Sequence, residues 1–185
     1  ESSSKGSAVP GIKDEVDLEQ ASPLLTPQQT SLYRALTARA IYLSQDRTDI
    51  VFSAKELSRH MSSPTELSWM KLKRFGRYLS QHIRYVNMFQ YQKSVDKLKV
   101  WSDTDWAGCK LTRKSTSGGV ICLGHHILKS YSTTQSVIAM SSGEAEYYGL
   151  TKSASIAIGI KGMFSDLGVQ VGIDLLTDAS AAKGI

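Results

Sequence analysis

Apolar residues in the first half of the chain recur every three or four positions, the spacing of helices that each bury one face. Thr26 before Pro27 and Gln29 predicts a capped start for a first helix, and Ser63, Pro64 and Glu66 predict the cap of a third. The predicted apolar faces are Leu32, Leu36, Ala40 and Leu43; Ile50, Ala54, Leu57 and Met61; and Trp69, Leu72, Phe75, Leu79 and Ile83. These patterns predict a small helical subdomain over residues 26–84.

The period changes to two after residue 95, which is typical of strands. KLKVWSD, GGVICLG and HILKSYS predict an antiparallel meander, with a turn at Gly118 and Gly119 before the second apolar run. Ser141 and Glu144 then predict a capping box for a long helix that ends at Gly168. Its predicted buried face is Leu150, Ala154, Ala157, Ile160 and Phe164. IDLLTD predicts a fourth strand ending at Asp178, and ASAAKGI the start of another helix. The order β-β-β-α-β-(α) indicates an α/β fold.

The composition sets the broad class of protein. The chain has 185 residues, 41% hydrophobic and 21% charged, which suits one soluble domain, or one domain and part of another. Residues 1–25 are rich in Ser, Gly and charge and predict a disordered lead-in, which leaves 26–95 as a helical region and 96–185 as an α/β region. No apolar run approaches the ~20 residues of a membrane span, and no signal peptide is visible. The net charge of +5 is a mild indication of an anionic partner.

Cysteine and histidine usage argues against two kinds of site. Cys109 and Cys122 lack metal-type spacing and are too few for a disulfide framework, which predicts a reducing, intracellular compartment. His125 and His126 are adjacent, so on a strand their side chains point to opposite faces. A polar hairpin tip is therefore favoured over a zinc site there.

Three acidic residues stand where the predicted elements could bring them together. Asp103 ends the first strand, Glu146 lies near the start of the long helix, and Asp178 ends the fourth strand. If the fourth strand runs beside the first, the three carboxylates meet and repel one another unless a cation lies among them. Oxygen ligands of this kind suit Mg²⁺ or Mn²⁺, and such metals support phosphodiester cleavage. The alternative is that these acids only cap strands and a helix.

The third predicted helix carries a basic flank beside its apolar stripe. Lys73, Arg74, Arg77 and Arg84 gather on one side at about 100° per residue. Such a flank could follow a phosphate backbone without sequence preference. A solvated helix face explains the same residues equally well.

Several segments resemble one known family. WSDTDWAGCKLTRKSTSGGVICLG, SSGEAEYYGL and LLTDASAAKGI are similar to the ribonuclease H domain of copia-type (Pseudoviridae) retrotransposon Pol polyproteins. The segment from YRALTARA to KRFGRYL resembles the region that connects the reverse transcriptase to that domain. The resemblance covers about residue 26 to the last residue. It implies a ribonuclease H-like fold, an RNA–DNA hybrid as substrate, Mg²⁺ or Mn²⁺ as cofactor, and the reverse transcriptase of the same polyprotein as a partner.

Carried over by residue, the resemblance makes Asp103, Glu146 and Asp178 the metal ligands and catalytic carboxylates. Glu144 competes with Glu146 for the second position, but its place three residues after Ser141 favours a capping role. Asp105 is interpreted as a hydrogen-bonding neighbour or strand terminator.

A basic, hydroxyl-rich segment follows the first predicted strand. Arg113, Lys114, Ser115 and Thr116 suit phosphates and ribose 2′-hydroxyls, although a polar hairpin turn would also use such residues.

The chain departs from the family pattern at four positions. The family often has an acid at Cys109, Pro at Thr48, Thr at Gly143 and Asn at Ala179, and a fourth carboxylate is expected in a segment after Ile185. Two hypotheses follow. The first is a metal-dependent endonuclease that cleaves the RNA strand of hybrids during reverse transcription. The second is a non-catalytic retroelement remnant with residual nucleic-acid binding.

Overall fold

The chain forms two compact units that meet at the Val86–Asn87 bond. The computed structural model describes residues 7–11, 22–109 and 111–178. The sequence placed this boundary later, after residue 95. The difference arises because the connector contacts the second unit: the Gln92 amide donates to the Leu123 carbonyl at 2.9 Å, and the His126 ring lies 2.7 Å from the Gln90 carbonyl oxygen.

The first unit consists of helices. They are α1 (Pro27–Leu43), a 3₁₀ turn (Thr48–Ile50), α2 (Val51–Ser58) and α3 (Glu66–Gln81). The capping box of Thr26 and Gln29 is confirmed at the start of α1. The cap of α3 is Thr65 rather than Ser63, since its hydroxyl accepts the Ser68 N–H and the Ser68 hydroxyl accepts the Thr65 N–H in return. Both caps satisfy N–H groups that have no partner within the helix.

Two of the predicted apolar faces are wrong in detail. The buried positions of α1 are Tyr33, Thr37 and Ala40, whereas Leu32 is 49% exposed. The Tyr33 hydroxyl donates to the Leu57 carbonyl at 2.8 Å, so this residue can be buried in place of Leu32. Helix α3 ends at Gln81, so Ile83 lies beyond it and is 80% exposed.

The segment before α1 contacts the start of α3. The Leu25 N–H donates to the Pro64 carbonyl at 3.0 Å, and the Glu66 N–H donates to the Pro23 carbonyl at 2.9 Å. Leu25 is buried in the helical core. Residues 22–25 of the predicted disordered lead-in are therefore ordered by these contacts, while 1–6 and 12–21 lie outside the described residues.

An ionic cluster joins the 3₁₀ turn to α3. Arg47 donates to both carboxylate oxygens of Asp49, at 2.9 and 2.7 Å, and the Tyr78 hydroxyl donates to one of them at 2.8 Å. The hydrogen bonds from Arg47 are the main reason that the pKa of Asp49 is lowered. The charged carboxylate thus stabilises this part of the helical unit.

The second unit is a mixed sheet with one long helix on it. The elements are β1 (Lys97–Asp105), β2 (Thr116–Leu123), β3 (His126–Thr134), α4 (Ser142–Asp166) and β4 (Gly172–Leu176), and the strand order is β3-β2-β1-β4. The predicted meander is confirmed, because β1–β2 and β2–β3 are antiparallel, and β4 runs parallel to β1 as expected. This is an α/β architecture. The further helix predicted after Asp178 lies outside the described residues.

The expected turn at Gly118 and Gly119 is wrong. Both glycines lie within β2. Gly119 pairs with Tyr131 on β3, and a Cβ at Gly119 would overlap the tyrosine ring. The glycine therefore makes room for a cross-strand aromatic side chain.

Helix α4 packs along the sheet on a stripe of small residues. The Ser141 hydroxyl accepts the Glu144 N–H at 3.1 Å, but the Glu144 carboxylate accepts the Met140 N–H at 2.8 Å, so only half of the predicted capping box forms. The helix ends at Asp166, and Gly168 follows just after the C-cap with a φ of +78° that glycine adopts readily. Its buried positions are Ala145, Glu146, Gly149, Ser153 and Ala157. Of the predicted apolar face, Ala157 is buried, and Ile160 and Phe164 are partly buried against the core of the sheet.

None of the helices in the described part of the chain combines the length and hydropathy needed to span a membrane. Cys109 and Cys122 are both buried thiols.

Candidate metal centre

The three predicted carboxylates meet at one edge of the sheet. The parallel register pairs Trp101 with Leu176, and the same offset continued by two residues sets Asp178 beside Asp103. Helix α4 supplies Glu146 from its second turn. One carboxylate oxygen from each of the three residues lies within 4.8 Å of the others. Strand pairing and helix packing together thus bring the acids to one point.

A single backbone donor connects two of these carboxylates. The Thr104 N–H donates to Asp103 Oδ1 at 2.9 Å and to Glu146 Oε1 at 3.2 Å. Glu146 is buried, whereas Asp103 and Asp178 are exposed. Burial raises the pKa of Glu146, and the negative charges of Asp103 and Asp178 raise it further. The site therefore favours a bound positive charge, whether a proton or a cation.

The donor set fits a hard divalent cation. Glu146 Oε2 is buried and has no hydrogen-bond partner among the described residues, so it is available to bind a cation. The other donors are carboxylate oxygens, which Mg²⁺ and Mn²⁺ prefer. Asp103, Glu146 and Asp178 would hold the ion.

Glu144 and Asp105, the other acidic residues of these segments, make contacts outside the cluster. The Glu144 carboxylate accepts the Met140 N–H at 2.8 Å and the Tyr148 hydroxyl at 3.1 Å, which agrees with its interpretation as a capping residue. Asp105 is the last residue of β1, and its carboxylate lies against Gly108 so closely that a Cβ there would overlap it. Asp105 thus contacts the turn that follows the strand.

Gly149 lets α4 approach the sheet closely behind the carboxylates. A Cβ at this position would overlap the Thr104 hydroxyl and lie 3.4 Å from that of Ser102. Both hydroxyls are buried on the helix-facing side of β1. The close approach allows Glu146, one turn earlier, to reach the end of β1.

An open groove of about 610 Å³ lies beside the carboxylates. Trp101, Gly118, Leu176 and Asp178 line it together with Asp103. Gly118 pairs directly with Asp103 across β1 and β2 and contributes no side chain of its own to the groove.

The predicted cationic residues occupy different settings. In the first unit, Lys73 and Arg77 are exposed on α3, and Arg84 is exposed after its end. Arg74 is half-buried, and its Nε atom has no hydrogen-bond partner within the described ranges. Lys73 Nζ lies 5.9 Å from the centroid of the Trp69 ring. Lys73 and Arg77 are therefore the two accessible cations of the predicted flank on α3.

The β1–β2 loop holds the other predicted contacts at the sheet edge where Asp103 lies. Arg113 is exposed with a positive φ of 56°, and its N–H donates to the Cys109 carbonyl at 2.7 Å. Lys114 and Thr116 are half-buried. Ser115 is fully buried, and its hydroxyl accepts the Ala107 N–H at 3.1 Å. Ser115 thus stabilises the loop through this hydrogen bond and does not present its hydroxyl at the surface.

Two residues that position α4 were not found by sequence reasoning. Gln135 and Trp106 hold the segment that leads into the helix: the Gln135 amide donates to the Ala145 carbonyl at 2.9 Å, and the Trp106 indole donates to the Ala139 carbonyl at 3.2 Å. A polar residue after a strand and an aromatic residue in a turn carry no local signal for these contacts.

The sequence matches two plant transposon proteins. It is 31% identical over 166 residues to the Retrovirus-related Pol polyprotein from transposon RE2 of Arabidopsis thaliana, which covers 82% of this chain and 11% of that protein. It is 34% identical over 139 residues to the corresponding polyprotein from transposon RE1 of the same plant, covering 75% of this chain and 9% of that protein. The chain belongs to the copia-type Pol polyprotein family.

This copia-type Pol region spans about a tenth of the length of those two polyproteins. It is also 35% identical over 112 residues to the Secreted RxLR effector protein 161 of Plasmopara viticola, a match that covers 60% of this chain and 78% of that protein. No family model matches the Pol region, and no solved structure matches it significantly.

Proposed function

We propose that the second unit of this Pol region is a ribonuclease H domain that cleaves the RNA strand of RNA–DNA hybrids in a metal-dependent reaction during reverse transcription. The observation that carries the proposal is the cluster of Asp103, Glu146 and Asp178, with oxygens within 4.8 Å of one another. The resemblance of the segments around all three residues supports the same assignment. The β-β-β-α-β order is the one expected of a ribonuclease H-like fold.

The chain's own residues supply the ligands of the reaction centre. Bound Mg²⁺ or Mn²⁺ activates a water molecule and stabilises the leaving oxygen of a phosphodiester. Asp103 and Asp178 reach the centre from neighbouring strand ends, and Glu146 reaches it from the helix. Glu146 must be ionised to bind, and the charge of the ion offsets the burial and repulsion that raise its pKa.

Substrate contacts are proposed from the accessible cations and the groove. Arg113 and Lys114 lie in the loop that follows β1, at the edge of the sheet where Asp103 lies, and would contact phosphates of the strand being cleaved. The groove beside Asp103 is open enough to admit a nucleic-acid backbone. Lys73 and Arg77 would add phosphate contacts from the helical unit, each without sequence preference.

A cleavage assay on an RNA–DNA hybrid tests the proposal. With each strand labelled in turn, we expect the RNA strand to be cut in Mg²⁺, and neither strand to be cut in EDTA. D103N, E146Q and D178N should each abolish cleavage, because an amide keeps the shape of the side chain but not its charge. D174N is the matched control, since Asp174 makes an exposed ion pair with Lys97 at 3.1 Å in the same sheet. A wild-type protein that does not cut, or a D103N protein that does, would refute the proposal.

A further inference from the structure

Gln135 bridges the sheet and the first turn of α4 next to the candidate metal ligands. Its amide nitrogen donates to the Ser117 hydroxyl and to the Ala145 carbonyl, both at 2.9 Å. Its own backbone N–H donates to the Ser115 carbonyl at 2.8 Å, which fixes the residue against β2. Gln135 is 9% exposed, so these bonds form away from bulk water.

The orientation of this amide follows from its partners. A backbone carbonyl can only accept, so the nitrogen of Gln135 must face Ala145. The amide oxygen of Gln135 is consequently buried and has no hydrogen-bond partner within the described residues. Burying an unpaired oxygen is unfavourable, because the oxygen loses its hydrogen bonds to water. The Gln135 amide nitrogen thus donates both of its hydrogen bonds to protein acceptors, while the amide oxygen has no partner among the described residues.

The contacts of Gln135 lead directly to the carboxylate cluster. Ala145, which accepts from Gln135, immediately precedes Glu146 in α4. Ser117 pairs with Thr104 across β1 and β2, and the Thr104 N–H holds both Asp103 and Glu146. Fixing Ala145 to Ser117 therefore fixes the height and rotation of the helical turn that carries Glu146.

We infer that Gln135 is a positioning residue for Glu146, and that its amide sets the metal affinity of the carboxylate cluster. This inference rests on the proposed function, since it concerns the same metal centre. Gln135 acts through the Ala145 carbonyl rather than on the ion, because its nitrogen is occupied by two protein acceptors. Residues that orient metal ligands in this way typically change metal affinity by about 10- to 100-fold when they are replaced.

A second helix-to-sheet bond provides a matched control. The Tyr131 hydroxyl and the Ser153 hydroxyl lie 2.6 Å apart and join β3 to the middle of α4. This bond lies about two turns further along the helix than Gln135's contact with Ala145. Y131F removes it while the ring remains over Gly119. The Tyr131 hydroxyl also interacts with Ser102 on β1. Y131F therefore perturbs the same interface while it keeps both hydrogen bonds of the Gln135 amide.

The experiment measures Mn²⁺ binding to the full chain by calorimetry and by the loss of the free-ion paramagnetic resonance signal. We expect Q135L to weaken Mn²⁺ binding about tenfold or more, and S117A, which removes one of the two acceptors, to weaken it by a smaller factor. Y131F should lower the denaturation midpoint but bind Mn²⁺ as the wild type does. Cleavage of the hybrid by Q135L should need correspondingly more Mg²⁺, with KM for the hybrid unchanged.

The outcomes separate the two proposals. A wild-type protein that binds no Mn²⁺ refutes the metal centre itself, and the role of Gln135 is refuted with it. If the wild type binds and Q135L binds equally well, or if Y131F weakens binding as much as Q135L, only the role of Gln135 is refuted. Should Q135L fail to fold, S117A decides: wild-type affinity in S117A overturns the inference, and reduced affinity supports it.

Discussion

Replacing Asp103 by asparagine should stabilise the metal-free protein and remove its response to Mg²⁺. Asp103 shares its site with Glu146 and Asp178, so the empty cluster contains three like-charged pairs. The substitution removes two of those pairs. The asparagine keeps a side-chain oxygen that can accept the Thr104 N–H, whose nitrogen lies 2.9 Å from Asp103 Oδ1 in the wild type. The backbone contact is therefore preserved while the repulsion is reduced.

The separation of the carboxylate oxygens sets the magnitude of the repulsion that D103N relieves. Two unit charges 4.8 Å apart repel by about 1 kcal/mol in water and by about 3–4 kcal/mol at an effective dielectric constant of about 20. Asp103 and Asp178 are exposed, which favours the lower value for each pair. Loss of the charge-assisted bond from Thr104 offsets part of the gain. We expect the metal-free D103N protein to be more stable by about 1–2 kcal/mol.

Urea denaturation with and without excess Mg²⁺ measures both effects. A W69F background is useful, because Trp101 and Trp106 then report on the second unit alone. In EDTA the D103N midpoint should exceed that of the parent protein. In Mg²⁺ the parent protein should gain stability in proportion to ion binding, and D103N should gain little or none.

The matched D174N control separates the site from general charge effects. It removes the same charge from the same sheet, but from an exposed ion pair with Lys97. D174N should therefore lose at most about 1 kcal/mol and respond to Mg²⁺ as the parent protein does. Destabilisation of D103N in EDTA, or equal Mg²⁺ responses in D103N and its parent, would refute the account of the site.

Three further predictions test other parts of the molecule. D49N should destabilise the helical unit by about 2 kcal/mol, because the partly buried guanidinium of Arg47 loses its partner. Since the pKa of Asp49 is lowered, wild-type stability should fall as the pH drops through that pKa. Denaturant titrations across acidic pH should show no such fall in D49N. In thermal melts G149A should destabilise the second unit by about 1–3 kcal/mol, because the added methyl would overlap the Thr104 hydroxyl. G162A should stabilise the same unit by up to about 1 kcal/mol, because no described atom lies within 4 Å of the added methyl. K73E combined with R77E should reduce the salt slope of hybrid binding by about 2, and an unchanged slope would assign both residues to a solvated face.

The carboxylate cluster could be predicted because each of its members sits at a place that local patterns define. Alternating residues identify the strand that carries Asp103, and a capped helix start locates Glu146. The parallel pairing of β4 with β1 was the one long-range assumption required, and the register confirms it. Once two strand ends are neighbours, the side chains that follow them have little freedom to separate.

The buried face of α1 shows where periodicity is insufficient. Counting only aliphatic residues selects Leu32 and Leu43, which are exposed, and passes over Tyr33 and Thr37, which are fully buried. Tyr33 is held by a carbonyl 24 residues away in the sequence. The Tyr33 hydroxyl is satisfied by this partner, which is not visible in a local pattern. The Thr37 hydroxyl is buried without a hydrogen-bond partner among the described residues, and periodicity gives no signal for it either.

Gly149 shows why the support of the site was not predicted. In the sequence it is one of several glycines inside a long helix, where each lowers helix stability by about 1 kcal/mol relative to alanine. Gly159 and Gly162 have open space around them, and Gly149 alone of these three meets the hydroxyls of β1. A residue that is unfavourable for the isolated helix is thus favourable where the helix contacts the sheet. Gly149 lies one turn from Glu146, where a small increase in the distance between helix and sheet would move a proposed metal ligand.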